Sequence, residues 1–181
     1  MKRLLICTRA LFAATLTLSA QPKTPASPAS TASATIAGKT ISIVYSSPRV
    51  NGREGHIFTK DGLISHDSHY PVWRAGANAA TTLHTNAELK IGDLTVPAGT
   101  YTLFVDISNP DQWELIVNKK TGEWGLAYDS TQDLGRAKMT MSKPPHMVEN
   151  LTYSITSPGG TTGKITLEWE NNSASVLFAV H

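Results

Sequence analysis

Along residues 35–181 apolar side chains recur at every second position in short runs, and Gly, Pro, Asn and Asp separate the runs. A period of two puts successive side chains on opposite faces of an extended strand, so the pattern predicts many short β-strands. Ile41, Ile43 and Tyr45 alternate in this way. So do Tyr101, Leu103, Val105 and Ile107, with Thr100, Thr102 and Asp106 on the other face. The turn signal Ser108-Asn109-Pro110-Asp111 then leads into Trp113, Leu115 and Val117, which predicts a hairpin. A second hairpin is predicted where Ile165, Leu167 and Trp169 alternate with Thr166, Glu168 and Glu170. There Asn171-Asn172-Ser173 turns the chain into Val176, Phe178 and Val180. Weaker strand patterns cover residues 81–85, 136–141 and 151–156, and a short helix is confined to residues 125–134. No segment sustains a 3.6-residue period. The fold class expected is all-β, an antiparallel β-sandwich or partly closed barrel, jelly-roll-like, with little helix.

The chain before residue 35 has a different character. Lys2, Arg3 and Arg9 precede an uncharged run of small and apolar residues at 10–20. This layout predicts a cleaved signal peptide over residues 1–20 and export to the periplasm or beyond. The run is about half the roughly 20 apolar residues a membrane-spanning helix needs, so no transmembrane segment is expected in the mature chain. Residues 21–34 are built from Pro, Ala, Ser and Thr, with little to bury, and read as a disordered tether. Residues 35–181 then form a single β domain.

Processing changes the chemistry available. The only cysteine is Cys7, inside the predicted signal and without the apolar run ahead of it that lipid attachment requires. The mature chain therefore carries no disulfide and no thiolate. Removing Lys2, Arg3 and Arg9 from the 16 Lys and Arg leaves 13 against 14 Asp and Glu. Without a basic cluster or net positive charge, nucleic acid is not an expected partner.

Several blocks occur in a particular order: Ser47-Pro48-Arg49, WRAGANAATTL at 73–83, PAGTYTLF at 97–104, Asn118-Lys119, Trp124-Gly125 and Tyr128-Asp129. In this order and spacing the chain resembles an exported bacterial family known as domain of unknown function 2911. The resemblance implies a mostly β domain with no activity to carry over. It points to Arg49, Arg74, Asn78, Thr81 and Lys119 as the polar positions of a shared site. Residues 62–73 depart from that family's usual shorter link, so an activity resting on His66 or His69 would belong to this branch alone.

The 73–83 block also reads physically. Gly76 and the surrounding alanines allow close backbone approach, while Arg74 and Asn78 supply planar donors suited to a carboxylate, a sugar hydroxyl or a phosphate. The reading favoured for such residues is that Arg74 pairs with an internal carboxylate and Asn78 satisfies a loop backbone. His66, Asp67 and His69, with His56 or His84, offer metal-ligating side chains, but the spacing fixes no third ligand. Glu168 and Glu170 are expected in solvent, and Asp106 and Glu114 face each other across the first hairpin. The stretch 158–165 lacks the first Gly and the Ser/Thr of a phosphate loop and reads as a hairpin turn. Trp113 and Trp169 fall on core faces, whereas Trp124, between Gly122 and Gly125, is the tryptophan expected at the surface.

Three readings follow. First comes a non-catalytic binding module for a small polar ligand, a glycan or a cell-envelope partner, using Arg49, Arg74, Asn78, Thr81, Lys119 and Trp124, with no cofactor. The second is a hydrolase or lyase using Asp106, Glu114 or the His66/His69 loop. The third is a structural domain.

Overall fold

A computed structural model describes residues 25–181; the predicted signal peptide and residues 21–24 lie outside the described residues. The strands follow in chain order: β1 (Ala29–Ile36), β2 (Lys39–Ser46), β3 (Val72–Trp73), β4 (Thr81–Thr85), β5 (Leu89–Ile91), β6 (Leu94–Val96), β7 (Gly99–Asp106) and β8 (Glu114–Asn118). They continue with β9 (Asp133–Lys138), β10 (Thr140–Ser142), β11 (Val148–Gly159), β12 (Thr162–Glu170) and β13 (Asn172–Val180). One antiparallel sheet runs β1-β2-β4-β7-β8-β9 with β3 against β7, and the other runs β11-β12-β13-β5-β6 with β10 against β13. Two sheets facing each other over one core make an all-β sandwich. Among the described residues the helical content is two 3-10 turns, Ile64–His66 and Ser130–Gln132. Among the described residues no helix is long and apolar enough to cross a membrane.

The alternating residues do what their period requires. Ile41, Ile43, Leu83, Leu103 and Leu115 of one sheet and Leu151, Ile165, Leu167 and Phe178 of the other are buried in a shared core. Phe58, Trp73, Trp113 and Trp169 form an aromatic group within it, with Trp73 and Trp169 stacked at 5.9 Å. Gly163 stands directly opposite Phe178, and a Cβ there would run into the phenyl ring.

Three expectations are corrected. Residues 29–34, expected in the tether, belong to β1, which pairs along its length with β2. Backbone pairing does not require large side chains, and the alternation is carried by small residues: Thr31, Ser33 and Thr35 face outward while Ala32 and Ile36 are buried. The second hairpin turns at Glu170-Asn171, with Asn172 already paired to Trp169. Glu170 is therefore not in solvent. It adopts a positive φ of 55° as the first turn residue, leaves the strand alternation and accepts a hydrogen bond from the Gly55 amide at 5% exposure.

The outer face of β7 and β8 is also covered, although alternation alone leaves it polar. Phe104 and Ile116 are buried there, and the Tyr128 ring from the 119–132 loop meets Phe104 edge-on at 4.8 Å. Asn118 fixes that loop by donating to Asp129 O at 2.9 Å and to Asp133 Oδ1 at 2.8 Å, while accepting from the Lys120 amide. Beside it Arg136 holds Asp106 at 2.8 Å and donates to the Tyr128 hydroxyl, which itself donates to Asp133 Oδ2 at 2.7 Å.

Two outcomes follow from this packing. Gly163→Ala should destabilise the fold by about 1–3 kcal/mol through overpacking, read as a lower urea midpoint at unchanged slope; an unchanged midpoint contradicts the steric account. Burial, and then the Asp133 carboxylate it donates to, push the Tyr128 hydroxyl up to about 12, against about 10 for an unfolded tyrosine. A raised folded value means stability present below pH 10 and lost as pH rises toward 12. Tyr128→Phe should flatten the fall in unfolding free energy over that window, and an equal slope in both proteins would contradict the assignment.

Candidate functional site

The cleft is built where five segments meet, at residues 26–27, 48–53, 63–67, 73–78 and Trp169. After β2 the chain crosses toward the other sheet and is latched to the start of β11. Ser47 Oγ donates to Leu151 O at 2.7 Å, the Leu151 amide to Pro48 O at 2.9 Å and the Val50 amide to Glu149 O at 2.8 Å. Arg49 sits in this latch opposite Asn150. A tight turn follows, with positive φ at Asn51 and Gly52 and the Arg53 amide returning to Val50 O. The Arg53 side chain folds back on it, donating from Nε to Val50 O at 3.0 Å and from Nη2 to Arg49 O at 2.7 Å.

The second wall is the 74–78 loop, whose shape depends on one carbonyl. Ala75 has a positive φ of 48° and is fully buried. Its carbonyl accepts from Thr81 Oγ1 at 3.1 Å and from the Tyr153 hydroxyl at 3.0 Å. Tyr153 is itself set by an edge-on contact of 4.9 Å with Tyr45, whose hydroxyl accepts from the Tyr153 amide. Burial raises the Tyr153 hydroxyl far above its ordinary value and keeps it a donor. Gly76 is required here, since a Cβ would come within 2.7 Å of Thr81 Oγ1. On the loop's outer side, Gly125 packs so closely that a Cβ there would strike Arg74 Cδ at 2.7 Å. The Gly125 amide donates to Asn78 O and the Ala80 amide to Glu123 O.

Between these walls lies a cleft of about 490 Å³, within the range of small-molecule sites. Arg49, Arg53, Arg74 and Asn78 line it, with Asp67 as its carboxylate, Leu63 and Ile64 as an apolar side, and Trp73 and Trp169 deeper in. Arg74 is committed to Asp67, with Nη2 at 2.8 Å from Oδ1 and Nε at 3.4 Å from Oδ2. Arg49 is different: it is exposed, and among the described residues its guanidinium forms no hydrogen bond or ion pair. Three guanidiniums against one carboxylate leave the lining net positive. The Trp169 indole Nε1 is buried and has no acceptor among the described residues, an arrangement that costs about 1–3 kcal/mol when nothing completes it.

The residues expected from sequence divide accordingly. Arg49, Arg74 and Asn78 come together in the cleft. Thr81 is fully buried behind the loop and acts on the Ala75 carbonyl. Lys119 is exposed on the 119–132 loop and does not line the cleft, and its neighbour Asn118 is the buried organiser there. Trp124 is 58% exposed and pairs through its backbone with Ala79, next to Asn78 but outside the cleft lining. His66 and His69 are exposed and Asp67 is taken by Arg74. Among the described residues no three His, Cys, Asp or Glu side chains converge as a metal would need. Asp106 and Glu114 are paired opposite each other and both face Arg136, away from the cleft. Arg53, Asn51 and Trp169 were not expected in the site. The Asn51-Gly52 turn signal, one residue after Ser47-Pro48-Arg49, is the sequence feature that points to Arg53.

Comparison with known proteins bears on identity alone. Among curated proteins and solved structures none matches this chain. The model of the family described as Protein of unknown function (DUF2911) matches residues 27–178, and the chain belongs to that family.

Proposed function

We propose that this protein is a binding module that captures a small, polar, anionic ligand in the cleft between the 47–53 latch and the 74–78 loop. The observation that carries the reading is the contrast among the three arginines. Arg74 is neutralised by Asp67 and Arg53 is spent largely on backbone carbonyls, whereas Arg49 keeps its donors for something outside the chain. A guanidinium presents paired donors that match a carboxylate or phosphate. Asn78, exposed at the rim, donates from Nδ2 to Ser27 O at 3.5 Å and keeps its second N–H and its amide oxygen for hydroxyl groups. The shape of the cleft is set before any ligand arrives, because both walls are held by buried hydrogen bonds. Preorganisation of this kind lowers the ordering cost of binding.

Arg49→Ala leaves no internal partner stranded, so the variant should unfold at the same temperature as the parent. Calorimetric titration with D-galacturonate and with inorganic phosphate should show binding to the parent that weakens at least about tenfold in Arg49→Ala, a loss of about 1.4 kcal/mol. Raising the ionic strength should weaken it further. Absence of binding by both anions, or equal affinity in parent and variant, contradicts the reading.

A further inference from the structure

The Trp169 indole bears on which anion fits. It stands next to last in β12 and is clamped on two sides, stacked on Trp73 with an interplanar angle of 14° and met edge-on by Phe58 at 5.8 Å. A ring held this way cannot turn to find another acceptor. Its Nε1–H nonetheless has none among the described residues, in a side chain 2% exposed that lines the cleft. Buried donors in native proteins almost always have a partner, and an indole N–H can only donate.

We propose that a bound ligand supplies the missing acceptor, so that the cleft selects an anion carrying a second oxygen acceptor apart from its charged group. The class is a hydroxylated carboxylic acid of the acidic-sugar type. Its carboxylate lies at Arg49, a hydroxyl or ring oxygen receives the Trp169 N–H, and a further hydroxyl meets Asn78 at the rim. The apolar faces of Leu63 and Ile64 suit the C–H side of such a ring better than a fully hydrated inorganic ion. This inference rests on the anion-capture reading above and narrows it.

The test follows the indole N–H signals of the ¹⁵N-labelled protein during titration with D-galacturonate, acetate and D-galactose. With galacturonate the Trp169 signal should move downfield farther than those of Trp73, Trp113 and Trp124. Acetate, which lacks the second acceptor, should bind at least about tenfold more weakly and leave Trp169 in place, and neutral galactose should not bind at these concentrations. Trp169→Phe should lower galacturonate affinity about tenfold without changing that of acetate; if the variant fails to fold, the titration of the parent protein decides alone. A stationary Trp169 signal at saturation, or equal affinity for acetate and galacturonate, overturns this inference while Arg49-dependent anion binding stands. Failure of every anion to bind overturns both.

Discussion

The geometry of the site depends on one buried carbonyl. Ala75 stands in the left-handed region, where a side chain is tolerated only if its surroundings fix it. Those surroundings are two hydroxyl donors: Thr81 from the strand that follows the loop, and Tyr153 from the opposite sheet. Through that carbonyl both sheets act on the backbone that carries Arg74, Gly76 and Asn78. Gly76 lets the loop close onto Thr81, and Gly125 lets the outer loop close onto Arg74. The cleft wall is thus a small piece of irregular backbone gripped from both sides.

The opposite wall obeys the same logic with different chemistry. The chain leaving β2 would expose unpaired backbone groups as it crosses between sheets; instead it pairs with residues 149–151 of β11. Backbone donors and acceptors are satisfied within the latch, which leaves the Arg49 side chain uncommitted at the surface. Charge distribution then separates two clusters. In the cleft Arg outnumbers carboxylate, while on the outer face of β7–β9 the carboxylates of Asp106, Glu114 and Asp133 surround the single guanidinium of Arg136. In that cluster burial opposes ionisation of Asp106, but the Ser108 bonds and Arg136 hold its carboxyl below the ordinary value. The outer cluster is internally paired and serves the fold.

Alternation made most of the sandwich legible, because hairpins such as β7–β8 and β12–β13 pair neighbours in sequence and each strand carries its own burial pattern. It failed where burial was achieved by small residues, as in β1, or where a second layer covered a polar-looking face, as Asn118 and Tyr128 do over Phe104. Within the site, Arg74 and Asn78 were legible from residue chemistry beside glycine, and Arg49 from the family resemblance alone. Pairing of Arg74 with an internal carboxylate was the favoured reading of that block, and the structure bears it out, but nothing local names Asp67 as the carboxylate. Trp169 was read as a core side chain, which it is, and Tyr153, also buried, lay in a weak strand pattern without being singled out. Their second role arises from contacts with segments nearly eighty and a hundred positions away in the chain, beyond the reach of a local pattern.

Hydrogen exchange in a Tyr153→Phe variant tests the central claim most directly, through the amides of Ala80 and Gly125, which tie the 74–78 loop to the outer loop. Losing one buried hydrogen bond to the Ala75 carbonyl should cost about 1–3 kcal/mol locally. These two amides should therefore exchange roughly tenfold faster or more, while those of β12 and β13 keep their protection. Unchanged exchange at Ala80 and Gly125 would show that the loop holds its shape without Tyr153, and would contradict the account.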